Sequence, residues 1–298
     1  QNSSPFFCAP ILISVATILL NTLLAEAKLY AYSIPELLEK FLTFEGKTLV
    51  LVDSETAGLE PNTSYVQLTH LAAMAFDGST MQMLGEFDRK VSIGEPLQRL
   101  LSDPASSEAT FLKADAARRL KKYKKADKTP AELLQMTGYH SNPGKAVSEK
   151  DALVEFEQFL GKFHNVILVA HNATFDLKAI QARRRFHGLP PLQRYPVLDT
   201  LKIARFFFIP VLLSLESVPE VKRLLDGLLA KTKYKSYSSS LGRLAQVLGV
   251  KMDQWHDAKE DVMMLMAVLQ QVITFLRTHA NADIRNQQGR AAKRFRKL

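Results

Sequence analysis

The sequence contains a single cysteine, Cys8, among its 298 residues. One cysteine excludes a disulfide within the chain and a metal site built from several thiolates. This scarcity suits a reducing compartment, and we expect a cytoplasmic protein. No internal repeat is apparent, so 298 residues with 47% hydrophobic content indicate one large domain with extensions rather than two equal domains.

Charge is absent from residues 1–25, and most of this segment is apolar. A membrane-spanning helix needs about 20 residues, but Pro10 interrupts the run and leaves only residues 11–25 beyond it. The segment also lacks the basic region of a secretory signal. We expect a buried or partner-binding helix here, with membrane contact as the second alternative and a targeting remnant as the third.

Acidic residues follow an apolar strand pattern early in the chain. Residues 48–52 are a continuous β-prone run, which is typical of a central strand covered on both faces. Asp53 and Glu55 come next, and because strand side chains alternate they should point to the same face. A polar strand end is the simpler alternative for this pair alone.

A second acid follows another strand. Residues 166–170 predict a buried strand, and Asn172 is a candidate N-cap for a helix that runs to about residue 187. Asp176 then lies near the first turn of that helix. The helix dipole alone would favour a negative charge there.

A third pattern combines a histidine and an acid. Asp257 and Glu260 resemble a capping box, which predicts a helix that begins near Ala258 and leaves His256 on the preceding loop. Asp261 lies at the edge of the apolar stripe of this helix. A histidine on a loop beside a fixed acid suits a base that activates water. Taken alone, however, His256 is more often an ordinary surface histidine than a base.

These three segments place acids at the edges of apolar elements, where an unpaired carboxylate is costly to bury. Together they resemble the DnaQ-like 3′→5′ exonucleases, the DEDDh branch of the ribonuclease H-like superfamily. The motifs that carry the resemblance are Asp53-Ser54-Glu55-Thr56-Ala57-Gly58-Leu59, His171-Asn172-x-x-Phe175-Asp176, and His256-x-Ala258-x-x-Asp261. Ala57 stands where the family usually has a second threonine, which puts a minor substrate contact in doubt.

The resemblance implies a two-metal hydrolase. Asp53, Glu55, Asp176 and Asp261 would hold two Mg²⁺ or Mn²⁺ ions, for which oxygen ligands are suited, and His256 would deprotonate the attacking water. It also implies substrate contacts at Thr56, Gly58, Leu59, His171 and Asn172. For Asp199, a helix-cap role and a catalytic role both stay open.

The resemblance implies an α/β, ribonuclease H-like fold, with a mixed five-stranded sheet and helices on both faces. The element pattern agrees, since three strands precede an alternation of helices and strands. We expect an apolar extension over residues 1–46, an exonuclease domain over residues 47–277, and a basic tail over residues 278–298. A basic insertion interrupts the domain at about residues 106–130.

Turn residues and apolar spacing predict further elements of this domain. Residues 77–79 predict a hairpin turn between the second and third strands. Ser148 is a candidate cap for a helix that runs to residue 163, and residues 238–247 predict another helix. For the strongly apolar residues 206–219, a loop that packs on the core and a surface for a polymerase or a second subunit both stay open.

Positive charge is concentrated in two segments of a chain whose formal net charge is +9. Residues 113–128 hold eight basic and two acidic residues, and residues 285–298 add six basic residues. Such segments suit a phosphate backbone, whereas a solvated helix face and a basic tail are the alternatives. The candidate backbone contacts are Arg118, Arg119, Lys121, Lys122, Lys124 and Lys125.

The sequence therefore predicts a metal-dependent 3′→5′ exonuclease that acts on single-stranded DNA ends, in proofreading or end trimming. RNA trimming is the first alternative, because stacking and backbone contacts serve both nucleic acids. A nuclease-dead nucleic-acid-binding module and a subunit that acts with a DNA polymerase or another replication partner are the others.

Overall fold

The computed structural model describes residues 44–57, 67–92, 146–229, 237–250 and 257–280, with side chains as far as residue 276 in the last range. Residues 1–43 of the expected apolar extension, the whole basic insertion and residues 281–298 of the expected basic tail lie outside the described residues. Within the part of the chain that the structure describes, no helix combines the length and the hydropathy needed to cross a membrane.

In the described ranges, five strands form one mixed sheet in the order β3-β2-β1-β4-β5. β1 is the central strand; it pairs antiparallel with β2 and parallel with β4, while β2–β3 is antiparallel and β4–β5 is parallel. The three parallel strands thus end at the same edge of the sheet. The strands are β1 Thr48–Thr56, β2 Leu68–Asp77, β3 Met83–Lys90, β4 Val166–Ala170 and β5 Val197–Asp199.

Seven α-helices and one π-helical turn are present in the described residues. The helices are α1 Glu149–Leu160, α2 Ala173–Phe186, α3 Thr200–Ile203, α4 Ile209–Ser214, α5 Pro219–Leu228, α6 Leu241–Val247 and α7 Ala258–Ala280, with the π-helical turn at Ala204–Phe208. This confirms the expected α/β architecture, a mixed five-stranded sheet with helices on both faces.

Two hydrophobic cores cover opposite faces of the sheet, because the side chains of β1 and β2 alternate. Leu49 and Leu51 pack in one core with α7 and the helices that precede it. Val50 and Val52 pack in the other core with α1 and α2. The alternation has a functional consequence, since residues 53 and 55 face the α7 side of the sheet and residue 54 faces the α2 side.

The β2–β3 hairpin forms where the sequence predicts it, around Asp77, Gly78 and Ser79. The Asp77 carboxylate accepts the backbone N–H groups of Ser79 and Thr80 at 2.9 and 2.8 Å, which closes the turn. Gly78 is required here because a Cβ atom would lie 2.2 Å from the carbonyl oxygen of Phe44.

Helix boundaries differ from expectation in three places. Ser148 caps α1 as predicted, through the N–H of Asp151, but the helix ends at Leu160 rather than residue 163. α6 begins at Leu241, three residues after the predicted start. Residues 206–219, expected as a loop packed on the core or as a surface for a partner, are mainly the π-helical turn and α4. Phe208 and Leu212 within them are fully buried, so this segment packs on the core as a helix rather than as a loop.

Replacement of Phe156 by alanine should reduce the free energy of unfolding by about 3–5 kcal/mol. The ring is fully buried on the α2 side of the sheet, with its centroid 5.6 Å from that of Phe87. The matched control is Phe206→Ala, since that ring is 58% exposed. Urea unfolding measures both, and equal losses for the two variants would contradict the assigned cores.

Candidate active site

The candidate site lies at the edge of the sheet where the parallel strands β1, β4 and β5 end. Such an edge is where ligands bind in open α/β sheets. Asp53 and Glu55 are on β1, His171 follows β4, and Asp199 ends β5. The first turns of α2 and α7 bring Asp176 and Asp261 to the same edge.

Three of the predicted acids form a close cluster. Carboxylate oxygens of Asp53, Glu55 and Asp261 lie within 4.8 Å of one another, and all three side chains are half-buried. The strand alternation explains the first two, because both face α7. Asp261 completes the cluster from the first turn of that helix, where its backbone N–H donates to the carbonyl of Asp257 at 2.9 Å.

Asp176 reaches the end of β1 from the opposite face of the sheet. Its Oδ1 accepts the backbone N–H of Ser54 at 3.0 Å and the Ser54 hydroxyl at 2.8 Å. Asp176 is almost completely buried. Ser54 therefore links the acid on α2 to the strand position between Asp53 and Glu55, and the four acids surround the end of β1 from both faces.

The acids repel one another. The pKa of Asp53 is raised well above its ordinary value, first by burial and then by the charges of Asp176, Glu55, Asp261 and Asp257. Burial also raises the pKa of Asp176 to about 7, although the two hydrogen bonds from Ser54 oppose the shift. A nearby positive charge would lower the pKa values of both Asp53 and Asp176.

A hard divalent cation fits these residues. The donor set consists of carboxylate oxygens only, which is the ligand type that Mg²⁺ and Mn²⁺ prefer. The oxygens of Asp53, Glu55 and Asp261 are close enough to share one ion. Asp176 lies beside this cluster, and its own role as a ligand stays a prediction, as does the number of ions.

The start of α7 agrees with the sequence prediction. The Asp257 carboxylate accepts the N–H groups of Lys259 and Glu260 at 3.1 and 3.3 Å, so it caps the helix. The N–H of Ala258 donates to Nδ1 of His70 at 3.3 Å. His256 lies outside the described residues, immediately before this cap.

The segment after β4 departs from expectation in one respect. Asn172 precedes α2 as predicted, but its side chain does not cap the helix, because the residue adopts a left-handed conformation with φ of 73°. Its backbone N–H instead donates to Asp199 at 3.2 Å. The same carboxylate accepts the N–H of Leu201 and caps α3, which favours the helix-cap reading of Asp199.

His171 is oriented by its neighbours. Its Nδ1 lies 3.0 Å from the hydroxyl of Thr200, which in turn donates to the carbonyl of Ala170. Burial lowers the pKa of His171 to about 4, against the opposing influence of Asp199. The imidazole is therefore neutral at neutral pH and contributes no positive charge to the site.

The remaining predicted contacts are only partly described. Thr56 is buried at the end of β1, where the pairing with β2 is irregular. Gly58, Leu59 and all six candidate basic residues lie outside the described residues. Their roles stay predictions.

Two residues at the site were missed by sequence reasoning. Ser54 lies inside the first motif, and its only signal was its position between two acids. His70 is a lone histidine in the apolar strand β2, and it is fully buried against the start of α7. A polar residue in such a strand needs hydrogen-bond partners, but the sequence alone does not name them.

Sequence comparison finds relatives among long bacterial polymerases. The chain is 27% identical over 215 residues to DNA polymerase III PolC-type of Streptococcus pneumoniae, a match that covers 72% of this chain and 10% of the polymerase. It is 32% identical over 130 residues to the Streptococcus thermophilus polymerase of the same name, covering 44% of this chain and 7% of the polymerase. The chain thus spans about a tenth of the length of these relatives or less.

This homology and the mixed five-stranded sheet support the resemblance to the DnaQ-like exonucleases that the motifs indicate. No protein-family model matches the chain. Among solved structures, E. coli exonuclease I in complex with a dT13 oligonucleotide is 16% identical, with a TM-score of 0.48. That match covers 78% of this chain and 44% of the exonuclease.

Metal-free Asp176→Asn protein should be more stable than the wild type at pH 8, and this advantage should shrink at pH 5. The folded protein holds the Asp176 proton up to a pKa of about 7, against an ordinary value of 3.8. The resulting stability is present below pH 4 and is lost as the pH rises through 7. The asparagine does not ionise, so it avoids this loss, which is on the order of a few kcal/mol.

Thermal unfolding in EDTA at both pH values tests this expectation. Asp226→Asn is the matched control, because that aspartate is exposed on α5. A difference between Asp176→Asn and wild type that is the same at pH 5 and pH 8 would contradict the raised pKa.

Proposed function

We propose that the chain is a divalent-metal-dependent 3′→5′ exonuclease that releases nucleoside 5′-monophosphates from single-stranded DNA ends. The observation that carries the proposal is the approach of Asp53, Glu55 and Asp261 to within 4.8 Å, beside the buried Asp176. A purely structural site has no need of so many converging acids, because their repulsion destabilises the fold. This argues against a nuclease-dead binding module.

The acids would hold the cations, and bound cations would polarise the scissile phosphate and stabilise the leaving oxygen. His256 would take a proton from water while the water oxygen bonds to the terminal phosphorus. The bond from phosphorus to the 3′-oxygen of the preceding nucleotide then breaks, and that oxygen is protonated from solvent. Asp53 and Glu55 share a rigid central strand, which keeps the reacting groups aligned.

The nature of the relatives supports DNA as the substrate. The proteins similar to this chain are DNA polymerases by name, and a 3′→5′ exonuclease beside a polymerase removes misincorporated ends. The basic segment that contains Arg118 and Lys121 would contact the phosphate backbone, which is a sequence-independent interaction. RNA is the alternative substrate.

The chain matches only a small part of each polymerase, so action within a larger replication assembly is a second candidate function.

Asp53→Asn should remove exonuclease activity and leave the fold intact. Loss of a direct metal ligand should exceed the roughly 10- to 100-fold loss that is typical of an outer-shell partner. The assay follows 5′-labelled single-stranded DNA and a matched RNA, with Mg²⁺ or EDTA, and Asp226→Asn serves as the control. A Mg²⁺-dependent ladder that shortens from the 3′ end is expected, faster on DNA.

Three other outcomes have clear meanings. Faster RNA degradation would replace DNA by RNA as the substrate. A ladder that persists in Asp53→Asn would overturn the site. No hydrolysis of either nucleic acid by wild-type protein, alone or with a replicative polymerase, would overturn the proposed function.

His256→Ala should slow the chemical step by about 10²- to 10⁴-fold, the usual contribution of a general base. The variant keeps all four acids, so its affinity for Mn²⁺ should match that of the wild type. Single-turnover kinetics and Mn²⁺ titration measure the two quantities. An unchanged single-turnover rate at pH 7 would show that another group accepts the proton.

A further inference from the structure

His70 is a completely buried histidine on β2 that the proposed chemistry does not use. Its side chain points to the α7 face of the sheet, the same face as Ala72 and Met74. In the register of the sheet, His70 is the partner of Glu55 on β1. Directly paired residues project to the same face, so His70 lies next to the strand position that carries one of the clustered acids.

The hydrogen bonds of the His70 ring define its tautomer and its orientation. Nδ1 accepts the backbone N–H of Ala258 at 3.3 Å, so this nitrogen carries no proton. Nε2 lies 2.6 Å from Oδ1 of Asp88 on β3, and it therefore donates its proton to that carboxylate. Asp88 fixes both the tautomer and the orientation of the ring, as a carboxylate does for a metal-bound histidine.

The bond from Ala258 matters because of its place in α7. Ala258 is the first residue of the helix, and the N–H groups of a first turn have no partner within the helix. Asp257 accepts the next two N–H groups, from Lys259 and Glu260. The ring of His70 accepts the first one and so joins the end of the helix to the sheet.

Asp261 follows within one turn of this junction. Its carboxylate must meet those of Asp53 and Glu55, which are fixed on β1. A helix end that shifts or frays would move Asp261 away from the strand. An ion pair between Lys259 and Glu86, 2.5 Å long, also ties the first turn to β3, but it is partly exposed and hence weak.

We propose that His70, held by Asp88, is a positioning residue for the metal centre: it fixes the first turn of α7 against the sheet so that Asp261 reaches Asp53 and Glu55. This inference rests on the metal site of the proposed function. It assigns a role to a residue that lies outside all three acidic motifs.

Two substitutions of His70 test the two hydrogen bonds of its ring one at a time. His70→Asn places a side-chain oxygen near the position of Nδ1 and can still accept the N–H of Ala258. His70→Gln places its amide near the position of Nε2 and can still reach Asp88, but it leaves Ala258 without its acceptor. The positioning role therefore predicts that asparagine preserves the metal site better than glutamine.

The first measurement is Mn²⁺ binding, followed by the electron paramagnetic resonance of free Mn²⁺ and carried out well below the melting temperature of each variant. His70→Gln should bind Mn²⁺ at least about tenfold more weakly than wild type, in line with other outer-shell changes. His70→Asn should stay much closer to wild type. Asp88→Asn should give an intermediate loss, because the ring keeps its place but loses its carboxylate partner.

The second measurement is the rate on single-stranded DNA. His70→Gln should lower kcat and raise the Mn²⁺ concentration for half-maximal activity, with little change in KM for the oligonucleotide. Phe159→Leu is the control for loss of stability alone, since this buried ring lies in the core on the other face of the sheet. It should lower the melting temperature without weakening Mn²⁺ binding.

The positioning role would be overturned if wild type, His70→Gln and Asp88→Asn bound Mn²⁺ with equal affinity. It would also be overturned if the Phe159→Leu control lost Mn²⁺ affinity in proportion to its loss of stability. Should His70→Gln fail to fold, the comparison of Asp88→Asn with wild type decides. The binding measurement needs no catalysis. A wild type that binds Mn²⁺ but degrades no DNA would therefore count against the proposed function and leave the role of His70 testable.

Discussion

The repulsion among carboxylates at the end of β1 is the constraint on which the rest of the site depends. Burial and neighbouring charge raise the pKa of Asp53, and burial raises that of Asp176. Such an arrangement destabilises a protein unless the surrounding fold holds it in place. The central strand does so, since β1 is paired on both sides and its apolar side chains are buried in both cores.

Different groups hold the acids in place on the two faces of the sheet. On the α2 face, Ser54 gives Asp176 two hydrogen bonds, which favour its charged form. On the α7 face, the cap of the helix and the His70–Asp88 pair hold the first turn in place. The alternation of side chains along β1 divides the acids between these supports. An inserted or deleted residue before Asp53 would exchange the faces and separate the cluster.

The elements that the sequence predicted well are those with a strong local pattern. The strand before Asp53, the hairpin at Asp77 and the start of α7 after Asp257 all follow from short-range signals, namely apolar runs, turn residues and a capping box. The boundary of α6 and the helical structure of residues 206–219 were missed because tertiary packing determines them. Phe208 and Leu212 pack in a core whose other residues are mostly distant from them in sequence. The conformation of Asn172 was missed because a distant carboxylate, Asp199, accepts its backbone N–H.

The same distinction applies to the site. The motifs supplied the acids, whose spacing reflects strand and helix geometry, but they did not supply the groups that hold those acids. Ser54 meets Asp176 across 122 residues, and Ala258 meets His70 across 188. Contacts of this separation follow from the sheet order, which no local pattern encodes. A motif match that keeps its acids but loses residues equivalent to Ser54 and His70 would therefore be a weaker candidate for activity than the motif alone indicates, because ligands bind a metal tightly only when the fold holds them in position.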